Sequence, residues 1–194
     1  MNIEVWSDIG CPWCYLGKHR LEAVLPPDAT VTFRAYQLAP LPATAPPPPM
    51  FAYATELAAA DGLTLDFNRV VLADTFDAHR LVAWAATQDL QLMMIDTLQR
   101  AHFAEGVDLG SHAELARLAG TIGLDEQAAL AYLASPAGTD AVNADLAEAR
   151  QLGITSVPAF VIDRKYMVQG AQEKAVLLTA LEEIARRESV EAPR

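Results

Sequence analysis

The spacing of apolar residues along this chain changes period repeatedly, and each change marks an element. Residues 3–6 form a short apolar-rich run that predicts a strand. From Tyr15 onward, Leu16, Leu21, Val24 and Leu25 recur at helical spacing until Pro26 and Pro27 end the pattern. Val31, Phe33 and Ala35 then alternate with Thr32, Arg34 and Tyr36, the period-two signature of a second strand. Strand, helix and strand in this order make a βαβ unit with a right-handed parallel crossover.

The middle of the chain reads differently. Residues 38–50 hold six prolines, four of them consecutive at 46–49, which excludes regular helix and predicts an extended, polyproline-like linker over residues 41–49. Residues 50–136 are rich in Ala and Leu at helical spacing, with candidate helices at 52–60, 75–89, 92–104, 112–122 and 125–134. Ser111 followed by Glu114 fits a capping box. Beyond it, residues 139–152 predict a helix closed by Gly153. Short strands at 159–162 and 166–168 flank the Asp163-Arg164-Lys165 turn, and 171–187 form an amphipathic helix. These patterns predict an α/β fold in which residues 1–40 and 137–194 build one mixed sheet with helices on both faces. An all-helical insertion over residues 50–136 interrupts it, above the sheet edge that carries Cys11. No internal repeat is present.

The chemistry sits at the first strand-to-helix junction. Cys11-Pro12-Trp13-Cys14 holds the only two cysteines of the chain at redox-pair spacing, just ahead of the first helical turn. A thiolate is the nucleophile in thiol–disulfide exchange, and the unpaired N–H groups and positive dipole end of a helix N-terminus favour that anion. Cys11 is therefore the expected attacking sulfur, and Cys14, a turn further in, the shielded resolving thiol. Pro12 suits the first helical position, where a missing N–H costs nothing. No cation lies between the cysteines, which points to a milder oxidant than a Cys-Pro-His-Cys pair would make.

A zinc site is the competing use of such a pair. It needs about four ligands, and His19, His79, His102 and His112 offer no paired spacing. A structural disulfide around two intervening residues would constrain the unfolded chain little. No bound metal or cofactor is expected.

With 194 residues and 52% hydrophobic content the chain can bury a sizeable core. Its charge of −11 argues against nucleic-acid and anionic-membrane partners, leaving protein or small-molecule thiols and disulfides. The first strand begins at once, with no basic segment and apolar stretch before it, and no run of about 18 apolar residues occurs. The expectation is a cytoplasmic protein, where a cysteine pair at this spacing is catalytic rather than stabilising. Oligomeric state is left open, with a homodimer compatible.

Around the motif, Asp8 is read either as a turn residue or as a modulator of the cysteine proton equilibria. Glu4, if buried in the first strand, is a candidate proton shuttle of raised pKa for Cys14. His79 and Arg80 lie on an apolar helix and read as packing or bracing residues, with a site-facing role as the alternative. Trp13 is either an apolar substrate platform or a packing residue against the insertion.

The motifs at residues 7–18, 77–81, 103–109, 153–160 and 170–172 together resemble the DsbA family of thioredoxin-fold oxidoreductases, and more narrowly its cytoplasmic FrnE-like branch. The resemblance covers nearly the whole chain. It implies a thioredoxin fold interrupted by a helical domain, and a cis peptide bond before Pro158, with Val157 and Pro158 holding an extended substrate backbone beside Cys11. It also makes glutathione a candidate redox partner or co-substrate. Residues 37–67 are shorter than is usual in that branch, so a helix flanking the site is expected to be missing. Two other activities remain open. One is a glutathione-dependent isomerase or transferase of the 2-hydroxychromene-2-carboxylate isomerase or kappa-class type, whose members generally have serine where Cys11 stands. The other is a redox-switched, chaperone-like binding module.

Overall fold

A computed structural model describes residues 1–38 and 49–191, so most of the expected polyproline-like linker lies outside the described residues. Strand β1 (Asn2–Ser7) leads into α1 (Pro12–Glu22), and β2 (Thr30–Ala35) returns parallel to β1 with Val5 beside Phe33. Then come α2 (Pro49–Ala60), α3 (Phe76–Ala86), α4 (Gln91–Arg100), a π turn (Ala101–Glu105), α5 (His112–Thr121), α6 (Glu126–Leu133) and α7 (Thr139–Gln151). The chain ends in β3 (Ala159–Ile162), β4 (Tyr166–Gln169) and α8 (Lys174–Glu191). The sheet order is β2-β1-β3-β4, with β3 antiparallel to both β1 and β4. This is the expected mixed α/β sheet of the thioredoxin fold, with an all-helical run of described residues between β2 and β3.

Alternation along β1 divides the core. Ile3 and Val5 lie opposite Ile162 and Phe160, and this face joins an apolar cluster that takes in Leu21 of α1, Leu81 of α3, Leu98 of α4 and Leu181 of α8. The other face sets Trp6 beside Ala159 and packs it on Ala149 of α7 and Ile154. Burial of each such large side chain contributes roughly 1.5–3 kcal/mol, which fixes the register, since a one-residue slip would turn Ile3 and Val5 away from their partners.

The helical run departs from the sequence pattern in three places. The helix expected over 92–104 ends at Arg100 and widens into the π turn, closed by the Val107 N–H on the Ala101 carbonyl at 2.9 Å. Gly106, at φ 73°, permits this: a Cβ there would stand 2.5 Å from the Arg69 carbonyl oxygen, so only glycine fits. The helix expected to reach residue 89 stops at Ala86, with Asp89 in the left-handed region at φ 60°. Only half of the capping box forms. The Ser111 hydroxyl accepts from the Glu114 N–H at 3.4 Å, while the Glu114 carboxylate turns to Arg117 instead.

Arg80 braces the insertion, as its apolar helix suggested. Its buried guanidinium donates to the carbonyls of Tyr132, Leu133, Ser135 and Ala137 around the end of α6, and to Asp77 at 2.6 Å. Carbonyls at a helix C-terminus have no partners within the helix, and five fixed N–H donors on one plane are well suited to collect them. Arg80→Ala is expected to cost about 3 kcal/mol, because it strands these carbonyls and Asp77 together. Urea unfolding of the variant checks this, and a loss below about 1 kcal/mol would assign the brace to packing alone.

Candidate active site

β1 ends at Ser7, and a turn through Asp8, Ile9 and Gly10 delivers Cys11 as the N-cap of α1. The Cys11 N–H donates to the Asp8 carbonyl at 3.2 Å, and the Cys11 carbonyl accepts from Cys14 at 3.0 Å and Tyr15 at 3.2 Å. Pro12 occupies the first helical position, as its missing N–H allows. Both cysteines are free thiols. Cys11 keeps 4% of its surface exposed and Cys14 none.

Their acidities move in opposite directions. The Cys14 thiol, donating to the Cys11 sulfur, holds Cys11 below the usual thiol range; burial and the Asp8 charge oppose this, and the N–H groups of Cys14 and Trp13 assist. Burial, and then the neighbouring Cys11 sulfur, push Cys14 well above it. The helix end thus contributes as the spacing suggests, but the partner thiol is the larger cause.

Pro158 comes to the same end of the sheet. Trp6 pairs with Ala159, so residue 158 lies opposite Ser7, and the Val157–Pro158 peptide bond is cis. The Pro158 ring lies so close to α1 that a Cβ on Gly17 would meet its Cγ at 2.7 Å. Gly17 therefore lets α1 and the strand entry close up, a role its sequence context does not reveal.

Trp13 is half-buried, with its ring 6.0 Å from that of Tyr53 on α2. Helix α2, expected over 52–60, flanks the site. It begins at Pro49, the last residue of the proline run, which serves as a helix start. Trp13 packs at the edge of a cluster formed by Tyr15, Phe103, Ala54, Ala58 and Leu65.

Glu4 does not have the raised pKa expected of a proton shuttle. It is buried on β1, and burial alone would push its carboxyl up. Arg164 at 2.9 Å and Arg34 at 2.6 Å outweigh that and hold it below the usual carboxylate range. Two guanidiniums favour the anion more than desolvation disfavours it, so Glu4 anchors β2 and the β3–β4 turn.

Asp8 takes both of the parts read for it. Its carboxylate accepts from the Gly10 N–H at 3.1 Å, the Leu38 N–H at 2.7 Å and the Thr75 hydroxyl at 2.8 Å, while its charge acts on Cys11. Behind it stand two buried imidazoles that sequence reasoning did not bring to the site. His79 of α3 has its Nε2 3.6 Å from Asp8 Oδ1, and His102 lies on the π turn beside Gly10. The available signal for His102 was its place four residues after Leu98 on the apolar stripe of α4, where a titratable side chain is out of character.

A cleft of about 570 Å³ lies on the opposite flank of α1, lined by Lys18, His19, Glu22, Met93, Asp96 and Arg100 among others; neither cysteine borders it. Among the described residues no group of three or more His, Cys, Asp or Glu could hold a metal ion, and no helix is long and apolar enough to cross a membrane.

Residues 2–182 match the family described as the DSBA-like thioredoxin domain. A probable DsbA oxidoreductase from Streptomyces coelicolor is 34% identical, with a TM-score of 0.86 over 100% of this chain and 92% of that one. A 2-hydroxychromene-2-carboxylate isomerase superposes with a TM-score of 0.80 at 16% identity, covering 100% of both chains. The cytosolic disulfide reductase DsbM from Pseudomonas aeruginosa, solved with GSH, gives 0.75 at 20% identity, over 96% of this chain and 100% of that one. A comparison with curated proteins finds no match.

The buried His102 makes stability depend on pH with a defined sign. Burial lowers its pKa from 6.5 to about 4, so between these values the unfolded chain binds more protons and the fold weakens as pH falls. The contribution is full above pH 6.5 and amounts to about 3 kcal/mol at 1.36 kcal/mol per unit. Urea unfolding from pH 7 to pH 4 is expected to show this loss, and His102→Gln to flatten the slope; equal slopes in the two proteins would remove His102 as its source.

Proposed function

The chain belongs to the DSBA-like thioredoxin family, and from that premise we propose that it is a cytoplasmic dithiol–disulfide oxidoreductase of the FrnE-like type. The observation that carries this reading is the opposite displacement of two adjacent thiols at one helix end, Cys11 toward the thiolate and Cys14 away from it. One sulfur is prepared to attack while the other is kept protonated and out of solvent until it is needed.

In the proposed cycle the Cys11 thiolate attacks one sulfur of a substrate disulfide. A mixed disulfide forms, and the substrate's other sulfur leaves as a thiolate that takes up a proton. Cys14 then loses its proton and attacks the Cys11 sulfur. The second substrate sulfur leaves, and Cys11 and Cys14 remain joined as a disulfide. The substrate gains two electrons and two protons, and the protein loses them. Two glutathione molecules restore the dithiol by the same exchange and leave as glutathione disulfide. Run backwards, the sequence oxidises a substrate dithiol.

Val157 and Pro158, at the sheet end beside Ser7, are assigned to the substrate backbone, and the Trp13 edge with Pro12 to its apolar flank. The isomerase reading is not favoured by this site, because a second thiol directly beside Cys11 has no part in a one-sulfur mechanism.

Cys11→Ser is expected to abolish reduction of a mixed glutathione–peptide disulfide, and Cys14→Ser to trap the Cys11 adduct, visible by intact mass. Turnover surviving in Cys14→Ser with strict glutathione dependence would instead support the isomerase or transferase class. Thiolate stabilisation raises a reduction potential, and here a thiol supplies it against the opposing Asp8 charge, with no cation between the cysteines. Equilibration in glutathione buffers is expected to place the potential between about −270 mV, as in thioredoxin, and about −120 mV, as in DsbA; a value at or above the latter would contradict the electrostatic argument.

A further inference from the structure

Two imidazole nitrogens near the cysteines are buried without a hydrogen bond of ordinary length. His79 Nε2 and His102 Nδ1 make no hydrogen bond, and the two side chains are 4% and 3% exposed. An unpaired buried polar atom costs roughly 1–3 kcal/mol, so each calls for a reason. For His79 the geometry supplies one. Its Nε2 points at Asp8 Oδ1 from 3.6 Å, just beyond hydrogen-bond length, and that oxygen already accepts from Thr75 and Gly10. Asp8 is the negative charge acting on Cys11, three residues before it in the chain.

We propose that His79 is the counter-charge of Asp8 and thereby a positioning residue for the Cys11 thiolate. A protonated His79 forms an ion pair with Asp8, which cancels the carboxylate's field at the sulfur. A neutral His79 leaves that field acting, and the thiolate is disfavoured. A positive charge on His79 and the negative charge on Cys11 therefore support each other across Asp8.

The other titratable groups near His79 are held neutral or are paired among themselves. His102, from the π turn, is held neutral by burial around neutral pH. Arg34 of β2 and Asp145 of α7 border the small cavity of about 30 Å³ that His79 and Ser7 also line, and they pair with each other at 3.3 Å. Cys14, on the α1 side, stays protonated. Asp108 acts on His102 from the loop after the π turn.

The inference rests on Cys11 being the attacking thiol, and iodoacetamide alkylation of the reduced protein reads that point separately. If Cys11 is not alkylated faster than Cys14, the functional reading above fails; if it is, the effect of His79 decides this one. His79→Gln is expected to slow Cys11 alkylation at pH 6 about 3- to 10-fold. Asp8→Asn is expected to speed alkylation, and His79→Gln to have no further effect in that background. Equal effects of His79→Gln in both backgrounds would overturn the proposal.

A measurement on the unaltered protein guards against variants that do not fold. The His79 ring resonances, followed by NMR at pH 6, should differ between the dithiol form and the Cys11–Cys14 disulfide form, which has no thiolate. Identical resonances in the two redox states would also overturn it.

Discussion

The pairing of β1 along both of its edges is the constraint on which the site depends. β2 holds it in parallel from one side and β3 in antiparallel from the other, so the strand's end at Ser7 has little freedom. Three residues of turn then bring Cys11 to the helix start, and the antiparallel partner brings Pro158 to the same level. Neither sulfur chemistry nor substrate contact could be placed reproducibly if this strand slipped, and its register is secured by apolar pairs such as Val5 with Phe160. Gly17 completes the arrangement by admitting the Pro158 ring against α1.

The helical segment between β2 and β3 is part of the site as well as a cover for it. It supplies Thr75, His79 and His102 behind the Asp8 turn, and Tyr53 beside Trp13. Its apolar residues share one continuous cluster with Ile3, Val5 and Phe160 of the sheet. The loop carrying the cysteines is therefore held through Asp8 to Leu38, beyond β2, and to Thr75, ahead of α3, and is backed by buried imidazoles. Arg80, next in sequence to His79, ties the same helix to the end of α6, so the position of His79 is set from both directions.

What the sequence makes legible follows from the range of the physics involved. Strands and helices with strong periodicity are readable because side-chain direction repeats locally, and β1, β2 and α1 emerge within a few residues of their expected bounds. The cysteine pair is readable because its chemistry requires only adjacency and a helix end. The π turn is not, since one extra residue per turn leaves no compositional trace apart from Gly106, whose need arises from Arg69, far away in the chain. Glu4 shows the same limit from another side. Its burial was a fair guess, but the sign of its pKa shift depends on Arg34 and Arg164, contributed by two other elements. His79 and His102 meet at Asp8 only in three dimensions.

The near-complete burial of the cysteine pair has one more consequence. Thiol–disulfide exchange needs the attacking sulfur to approach along the axis of the bond it breaks, and Cys11 presents only a small window at the surface for that approach. A disulfide can be aligned there only if its own sulfurs stand clear of bulk, as in a small-molecule disulfide, an unfolded chain or a strained surface loop. In the proposed exchange the recess of Cys11 would act as a filter on the shape of the partner, sparing cross-links buried inside finished proteins without reading any sequence around them.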